Sequence, residues 1–238
     1  MNGSVSAVMA SFNSQSYIGE AIDSILKQTR PVAEIIVSDG ASTDGTVEVL
    51  RKYGDAVRVI ANHQDRGPGA CRNQAVAIAR GDYFAFLDAD DVWDPSHIED
   101  LAGLLDRWPD AGAAFCQTHV YRGRPEWIWP PVIDVVRSQP VDLFLEIMRR
   151  NLMRASAVVV RKKVFYEAGG FGEGVEYYQG WRIFTDDIPL FLRCALNTKC
   201  ILSPCPTTQY RVHDEQLNSR HGEGIVMGAY KQRILLLE

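Results

Sequence analysis

Short apolar runs alternate with helically spaced apolar residues along the first half of the chain. Each run is closed by polar residues, as expected of a strand that reaches the edge of a sheet. Four such runs are the predicted strands, at residues 4–9, 34–38, 57–61 and 83–87. The segments between them carry apolar residues at helical spacing, as in residues 18–26. This β-α-β order predicts an α/β fold with a mostly parallel sheet and helices on both faces.

The pattern is clearest in residues 81–91. Residues 83–87 are all apolar or aromatic and are followed by carboxylates, which predicts a strand buried on both faces. Asp88 and Asp90 are two residues apart, so in extended backbone they point to the same side. Paired oxygen ligands of this kind suit Mg²⁺ or Mn²⁺. The alternative is an Asp-rich turn before the helix that Asp-Pro marks at residues 94–95. From this stretch alone, the two interpretations are equally good.

The second half of the chain is less regular. Its apolar runs predict strands at residues 111–118, 155–160 and 207–212. A helix is predicted to open at residues 185–189, and another to run from about residue 224 to the end of the chain. Residues 124–131 are rich in Trp and Pro and are predicted to form a loop.

Composition narrows the function classes. The 238 residues are 46% hydrophobic and 23% charged, which is ordinary for one globular domain. The net charge of −5 disfavours a nucleic-acid partner. The five cysteines are odd in number and form no Cys-x-x-Cys pair, which predicts buried, reduced thiols in a reducing compartment. No apolar run is long enough to span a bilayer and no signal peptide is evident, so a cytoplasmic protein is expected.

Polar loops follow three of the first four predicted strands directly, at residues 11–13, 39–44 and 88–91. Because parallel strands end at the same edge of a sheet, this edge is where a nucleotide is expected to bind. In the remaining loop, Gly67 and Gly69 begin a helix, and Arg72 follows one turn later. Free N–H groups there could face an anion together with Arg72, but a plain helix start with an exposed Arg72 explains this segment better. The chain has no dinucleotide-binding or P-loop glycine motif, which disfavours an oxidoreductase or an NTPase.

Seven short motifs, in order, resemble those of the family 2 inverting glycosyltransferases, whose fold is the nucleotide-sugar-binding GT-A fold. They are Ser11-Phe12-Asn13; residues 34–37 with 44–46; Asn62, Gly67, Arg72-Asn73 and Gly81; the Asp-x-Asp stretch 86–91; Gly169-Gly170-Phe171; Asp186-Asp187 with residues 190–193; and Tyr210-Arg211-Val212-His213. The chain departs from the family in two places. Gly40 and Ala41 replace the usual Asp and Gly after Asp39, and Asp186 replaces the usual Glu. The first departure leaves the loop geometry near the base pocket open.

The resemblance implies a metal-dependent inverting transfer of a sugar from a nucleoside diphosphate sugar to an acceptor hydroxyl. It implies a single domain over residues 1–238, with a donor-binding half of about 1–110. The half from about 111 to 238 would bind the acceptor and end in the C-terminal helix. Asp39 would accept a hydrogen bond from the N3–H of a pyrimidine, which favours a UDP-sugar. The implied donor-binding residues are Ser11, Phe12, Asn13, Asp39, Arg72, Asp88 and Asp90.

The resemblance also assigns the reacting groups. Asp90, Asp88 and His213 would hold Mn²⁺ or Mg²⁺, which neutralises charge on the leaving nucleoside diphosphate; a structural role for His213 is an equal alternative. Asp187 would be the general base, on the face of the sugar opposite the diphosphate. A carboxylate at a helix start is stabilised by the helix dipole, which makes it a weaker base. Asp186 is expected to fill the N-cap of that helix.

The expected acceptor is a glycan, a lipid-linked or another hydroxyl compound, in surface polysaccharide or glycan synthesis. The last predicted helix carries apolar residues at 234–237 beside basic ones, so it could dock on the body, contact the inner membrane face or lead into a further segment. Two other classes stay open. A nucleotidyltransferase would need a Gly-rich loop with Arg near the first strand, which is missing. A non-catalytic nucleotide-sugar-binding protein would not need Asp88, Asp90 and Asp187, which are all present.

Overall fold

The structure, a computed structural model, describes residues 2–121, 125–129, 139–150, 153–173, 176–178, 181–183 and 186–213. The strands within them are β1 (Val5–Ser11), β2 (Glu34–Asp39), β3 (Arg58–Ala61), β4 (Tyr83–Phe86), β5 (Val92–Trp93), β6 (Ala111–Tyr121), β7 (Pro125–Trp129), β8 (Val158–Arg161), β9 (Glu176–Tyr178), β10 (Trp181–Ile183) and β11 (Lys199–Arg211). The helices are α1 (Ile18–Leu26), α2 (Thr46–Arg51), α3 (Pro68–Ala77), α4 (His97–Arg107), α5 (Phe144–Arg150), α6 (Lys162–Glu167) and α7 (Asp187–Asn197).

One sheet holds most of the strands, in the order β3-β2-β1-β4-β8-β6-β11-β5, and β7 pairs with β6 outside this path. Strands β1 to β4, β6 and β11 run in one direction, and β5, β7 and β8 run in the other. The first four strands are parallel because α1, α2 and α3 carry the chain back between them. Strands β9 and β10 form a separate antiparallel pair.

Alternate residues of the central strands pack on opposite faces of this sheet. Phe84 and Phe86 lie on the face covered by α3, α5, α6 and α7, whereas Ala85 and Leu87 lie on the face covered by α1, α2 and α4. All four are fully buried. Because full burial of a Phe or Leu side chain stabilises a fold by about 1.5–3 kcal/mol, β4 is held firmly between both layers. The loop that follows β4 therefore starts from a fixed position.

This arrangement confirms the predicted α/β fold, a mostly parallel sheet with helices on both faces. The four strands predicted in the first half are β1 to β4, and the helices predicted at residues 18–26 and 185–189 are α1 and α7. The strands predicted at 111–118 and 207–212 are parts of the longer β6 and β11. The run at 155–160 forms β8 after a short 3₁₀ turn, Ala155–Ala157.

The prediction of a loop at residues 124–131 was wrong over most of its length, because β7 pairs with β6 there. Trp and Ile suit a strand, and Pro125 is tolerated because it is the first residue of β7. Strands β5, β9 and β10 were not predicted, since segments of two or three residues acquire their pairing only in the folded chain. The helix predicted from about residue 224 lies outside the described residues.

Four of the five cysteines are buried and free, as predicted, but Cys205 is exposed. It lies in the part of β11 where the register with β6 shifts between Ser203 and Thr208, so the strand bulges towards solvent. In the described part of the chain, no helix combines the length and the hydropathy that a bilayer span requires.

Candidate active site

The loops after β1 and β2 meet at the carboxyl edge of the sheet, where parallel strands end side by side. Ser11 and Asp39, the last residues of β1 and β2, lie opposite each other in register. Ser11 Oγ donates to Asp39 Oδ2 at 2.8 Å. Ser42 donates twice to the same carboxylate, from N to Oδ1 at 2.8 Å and from Oγ to Oδ2 at 2.6 Å. Asp39 is therefore only 1% exposed and joins the two loops.

The first loop presents an aromatic ring to solvent. Phe12 is 44% exposed, and a side chain at Gly40 would touch its ring at 3.7 Å. Asn13 has a positive φ of 48° and turns back onto the second loop. Its N–H donates to Ser42 Oγ at 2.8 Å, and its Oδ1 accepts from Thr43 N at 2.8 Å. Phe12 is thus open to a ligand, whereas Asn13 holds the two loops together.

The acidic loop, residues 88–91 after β4, contains carboxylates in two environments. The side chains of Asp88 and Asp90 are 32% and 29% exposed, but Asp91 is 1% exposed. Asp91 Oδ1 accepts from Arg211 N at 3.0 Å. Burial, and then the charges of Asp90 and Asp88, raises the pKa of Asp91 well above its usual range. Asp91 therefore holds the loop to β11, and Asp88 and Asp90 are the carboxylates open to solvent.

The end of β11 brings His213 to this acidic loop. Arg211 Nε donates to the Asp90 carbonyl at 2.9 Å, and its Nη2 donates to Glu20 Oε2 at 2.5 Å. His213 Nε2 lies 3.1 Å from Asp90 Oδ2. The His213 ring also packs on Tyr17, with 4.4 Å between the ring centroids. Residues far apart in sequence thus hold an imidazole beside the partly exposed Asp90 carboxylate.

Asp90 and His213 fit a divalent metal ion. Neighbouring ligands of an octahedral ion, each about 2.1 Å from it, stand about 3 Å apart, and the two side-chain atoms are separated by 3.1 Å. The carboxylate suits both Mg²⁺ and Mn²⁺, and the imidazole favours the transition metal of the two. Within the residues described, no group of three His, Cys, Asp or Glu side chains forms a metal cage. A site with few protein ligands leaves positions for water and phosphate oxygens.

Arg72, one turn into α3, lies between two carboxylates. Its side chain is 7% exposed, with Nη2 on Asp88 Oδ1 and Nη1 on Asp186 Oδ2. The guanidinium lies over the Phe171 ring, 5.1 Å from the centroid. Burial opposes the charge, but Asp88 and Asp186 raise the pKa of Arg72 above its ordinary value. The expectation of an exposed Arg72 at a plain helix start was therefore wrong, because the side chain is buried against two carboxylates.

Asp187 begins α7, with Asp186 as the N-cap residue. The Asp186 carboxylate pairs with Arg72 and, within the described chain, makes no capping hydrogen bond, so the expected capping by this side chain was wrong. Burial and the Asp186 charge, with a smaller contribution from Asp88, raise the pKa of Asp187 to about 7, although Arg72 and the Ile188 N–H oppose the rise. Burial, the largest cause, therefore outweighs the hydrogen bond from the Ile188 N–H at the start of the helix. A carboxylate with a pKa near neutrality is well suited to general-base catalysis.

Comparison with known proteins identifies the family of this chain. Residues 6–171 match the model of Glycosyl transferase family 2, which is most of the chain. This chain belongs to glycosyltransferase family 2. It is 37% identical over 98 residues to TuaG of Bacillus subtilis (strain 168), named as a glycosyltransferase of teichuronic acid biosynthesis, a match that covers 40% of this chain and 39% of TuaG. It is 40% identical over 90 residues to WfaP of Escherichia coli, named as a UDP-Glc:alpha-D-GlcNAc-diphosphoundecaprenol beta-1,3-glucosyltransferase, covering 37% of this chain and 36% of WfaP.

Solved structures show the GT-A-type fold of this family 2 chain. TarS of S. aureus (residues 1–349), in complex with UDP-GlcNAc, superposes with a TM-score of 0.78 at 20% identity and covers 98% of this chain. The mannosyltransferase PcManGT from Pyrobaculum calidifontis, in complex with GDP-Man and Mn²⁺, superposes with a TM-score of 0.69 at 19% identity and covers 99% of this chain. In both cases this chain spans 65% of the other.

The family motifs outside the acidic loop have structural roles that the sequence did not reveal. Asn73 pairs its amide with the Phe171 backbone, donating to the carbonyl at 2.9 Å and accepting from the N–H at 3.0 Å. Arg193 Nη2 donates to the Gly170 carbonyl at 2.8 Å. The loop at residues 169–171 is therefore held from both α3 and α7. The family motifs identified these residues in the sequence, but the spacing of the motifs did not predict which residues contact one another.

Ser156 is a site residue for which the sequence gives no signal. Its Oγ accepts from the Asp88 N–H at 3.1 Å, and its carbonyl accepts from Trp93 Nε1 at 2.7 Å. It stands 68 residues from Asp88 in sequence and reaches it only because β8 packs against β4. Ser156 thus fixes the backbone at the first carboxylate of the acidic loop.

Proposed function

We propose that this family 2 glycosyltransferase moves a sugar from a nucleoside diphosphate sugar to an acceptor hydroxyl, with inversion at the anomeric carbon. The observation that carries the proposal is the convergence of the acidic loop and the start of α7 on Arg72. It places Asp88, Asp90 and Asp187 at one edge of the sheet. The chain spans 39% of TuaG and 65% of the TarS fragment, so the activity of a longer protein belongs to the same proposal.

Asp90 and His213 would hold the metal ion, with Asp88 contacting it through water or contacting the ribose. A divalent ion bound there would neutralise the charge that grows on the leaving nucleoside diphosphate. Tyr17 and Arg211 keep His213 and the Asp90 backbone in place for this task. Mn²⁺ is the better candidate because one of the two ligands is an imidazole.

Asp187 would take the proton of the acceptor hydroxyl as that oxygen attacks the anomeric carbon. Its pKa of about 7 leaves a large fraction ionised at neutral pH and still basic enough to accept a proton. The donor then comes from the loops of the first half, and the acceptor meets its base in the second half. Inversion follows because the hydroxyl approaches from the face opposite the diphosphate.

For the nucleobase, we propose that Phe12 supplies a stacking face and that Asp39 shapes the pocket. Three donors already occupy the Asp39 carboxylate, two on Oδ2 and one on Oδ1. A pyrimidine N3–H would therefore donate to the remaining acceptor position, on Oδ1. A UDP-sugar is favoured by the relatives, since WfaP is named for UDP-Glc and TarS holds UDP-GlcNAc. Competition binding of UDP, dTDP, GDP and ADP tests this, and tightest binding of ADP would contradict it.

The names of two relatives support the proposal for the acceptor. TuaG is named for teichuronic acid synthesis and WfaP for a diphosphoundecaprenol-linked acceptor. We therefore propose a hydroxyl of a surface glycan or of its lipid-linked precursor, used at the cytoplasmic face of the membrane with peripheral contact. Vesicle flotation with and without the lipid-linked acceptor measures that contact.

The function is tested by incubating the chain with Mn²⁺ and a panel of nucleotide sugars, first without acceptor and then with saccharide or lipid-linked acceptors. We expect release of the nucleoside diphosphate and loss of this release with EDTA. The anomeric proton signal of the product in NMR should show that the configuration at the anomeric carbon is inverted. Nucleotide binding without turnover under every condition would indicate a binding protein instead. In a separate incubation with a nucleoside triphosphate and a sugar 1-phosphate, formation of the nucleotide sugar with release of pyrophosphate would indicate a nucleotidyltransferase.

A further inference from the structure

Arg72 connects two parts of the site that the proposed mechanism treats as separate. Its partner Asp88 belongs to the acidic loop on the donor side, 16 residues away in sequence. Its other partner, Asp186, stands 114 residues away and immediately precedes the proposed base. We call this pair of contacts, Asp88 to Arg72 to Asp186, the Arg72 bridge. It is a direct contact between the donor loop and the acceptor helix.

The surroundings leave the bridge little room to move. Gly172 N donates to the Asp186 carbonyl at 3.0 Å, which ties the start of α7 to the loop after Phe171. A Cβ on Gly69 would lie 2.0 Å from the Gly172 carbonyl oxygen and 2.7 Å from Asp186 Cβ, so only glycine permits this approach of α3. The Phe171 ring supports the guanidinium from one side. The position of Asp186 is therefore set from α3.

A direct role of Arg72 in phosphate binding fits this geometry poorly. Both terminal nitrogens already contact carboxylates, and the side chain is 7% exposed. If Arg72 turned towards a diphosphate, the Asp186 carboxylate, which is 12% exposed, would lose its partner. Breaking a buried ion pair by removing one member is strongly unfavourable, because an uncompensated charge remains.

We propose that Arg72 is a positioning residue whose bridge fixes the start of α7, and Asp187 with it, relative to the donor loop. This inference rests on the proposed function and adds to it the group that sets the separation between donor and base. The bridge needs two donors in a rigid fork, which a guanidinium provides and a lysine ammonium does not. A displacement of a reacting group by about 1 Å can cost about 10²-fold in rate.

The kinetic test compares Arg72→Lys, Arg72→Gln and Asp186→Asn with the wild type. We expect kcat to fall by about 10²-fold in each, while donor KM and UDP affinity stay near wild type. Arg30→Gln is the matched control, because Arg30 pairs with Asp106 at 2.8 Å, is 15% exposed and lies away from the carboxyl edge. Its kcat should not change. A large loss of UDP affinity in Arg72→Gln, with normal turnover in Asp186→Asn, would mean that Arg72 binds phosphate and would overturn the proposal.

The pH profile separates positioning from a general loss of structure. The charged groups that face Asp187 within the described chain are Asp186, Arg72 and Asp88. Arg72 lowers the pKa of Asp187, so Arg72→Gln should move the acidic limb of kcat to higher pH than the wild-type limb near pH 7. If kcat of Arg72→Gln falls by the same factor at every pH, the acidic limb does not move. If Arg30→Gln is then equally impaired, Arg72 has a merely structural role.

Hydrogen exchange tests the bridge without any need for turnover. The amides of the first turn of α7 and of residues 88–91 should exchange faster in Arg72→Gln than in the wild type, whereas α4 should be unchanged. Unchanged exchange at α7 would overturn the proposal even if the enzyme is active. Faster exchange in a chain that transfers no sugar would support the bridge and contradict the proposed function instead.

Discussion

Burial assigns different tasks to five of the carboxylates around the site. Asp39 and Asp91 are about fully buried and hold loops through Ser11, Ser42 and the Arg211 backbone. Asp88 and Asp90 remain about one-third exposed, which leaves them available to a ligand. Asp187 is half-buried, and its carboxyl group titrates near neutrality. Aspartate side chains thus stabilise loops, bind ligands or transfer protons, according to their surroundings.

Asp187→Asn should lower the transfer rate by about 10²–10⁴-fold, because the amide keeps the shape but cannot accept a proton. UDP affinity should change little. In the wild type, the rate should fall as pH drops below about 7, since the base must be ionised and protonation removes it. The measurement is kcat against pH together with UDP calorimetry.

The stability of Asp187→Asn provides the control. Because the folded-state pKa of Asp187 is raised, ionisation of this group disfavours the folded state as pH rises, so removing the charge should not lower Tm at pH 8. If Asp186→Asn abolishes turnover while Asp187→Asn remains active, the wrong carboxylate has been chosen. Loss of UDP binding in Asp187→Asn would place the residue in the donor site.

Nucleotide binding should require a divalent metal through Asp90. Calorimetry with UDP is expected to show strong binding with Mn²⁺, and much weaker binding with EDTA or in Asp90→Ala. His213→Gln should weaken Mn²⁺ more than Mg²⁺, because the imidazole favours the transition metal. Equal UDP affinity with and without metal would rule out this assignment.

At the scale of elements, the site depends on how closely α3 and α7 approach each other. The start of α3 carries Gly67 with a φ of 82° and Gly69 against Gly172, while α7 contributes Asp186 and Arg193. Gly67 supplies the positive φ before α3, and Gly69 permits a close backbone contact that a larger residue would prevent. The Arg72 bridge exists because these two helix ends are in contact.

Gly69→Ala should therefore destabilise the protein, since its Cβ would fall 2.0 Å from a backbone oxygen that cannot easily move. Overpacking of this kind costs about 1–3 kcal/mol, and the separation of α3 from α7 should also lower kcat. Gly103→Ala in α4 is the matched control, because no described atom lies within 4 Å of its Cβ. That variant should be about 0.5–1 kcal/mol more stable than wild type. Thermal unfolding of both compares them directly, and equal Tm values would contradict the close contact.

At the scale of the whole molecule, two apolar layers enclose a sheet whose carboxyl edge carries the site. The layers bury four of the five thiols and leave Cys205 on the irregular part of β11. Burial raises the pKa of Cys194 to about 12 and also raises those of Cys71, Cys116 and Cys200. Thiolate, the reactive form, is therefore suppressed in the interior.

Titration of the native protein with a thiol reagent should show one fast-reacting cysteine, and titration in denaturant should show all five. Cys205→Ser should remove the fast phase and leave transfer activity unchanged, because Cys205 lies outside the site. Two or more fast thiols in the native protein would mean that the layers are packed more loosely than described.

The sequence by itself was sufficient for the layer architecture, and it predicted a candidate site at the carboxyl edge of the sheet. Short apolar runs closed by polar residues predicted β1 to β4, and helical spacing predicted α1. Carboxylates directly after an apolar run marked the edge where chemistry is expected. These features are local, because the residues that produce them are close neighbours in the chain. The family motifs extended the prediction to the second half by resemblance.

Only the tertiary structure decided what each polar residue contacts. Three contacts join residues that are far apart in the chain. Arg72 pairs with Asp186 across 114 positions, and the Asp88 N–H donates to Ser156 across 68 positions. Tyr17 packs on His213 from the other end of the described chain. The strand β7 and the exposed Cys205 were mispredicted for the same reason, since both depend on pairing with β6. Hydrogen bonds and burial act over a few ångströms in space, whereas sequence patterns report only neighbours along the chain. The raised pKa of Asp187 is thus a property of the fold, produced by burial and by charges that the sequence does not place near it.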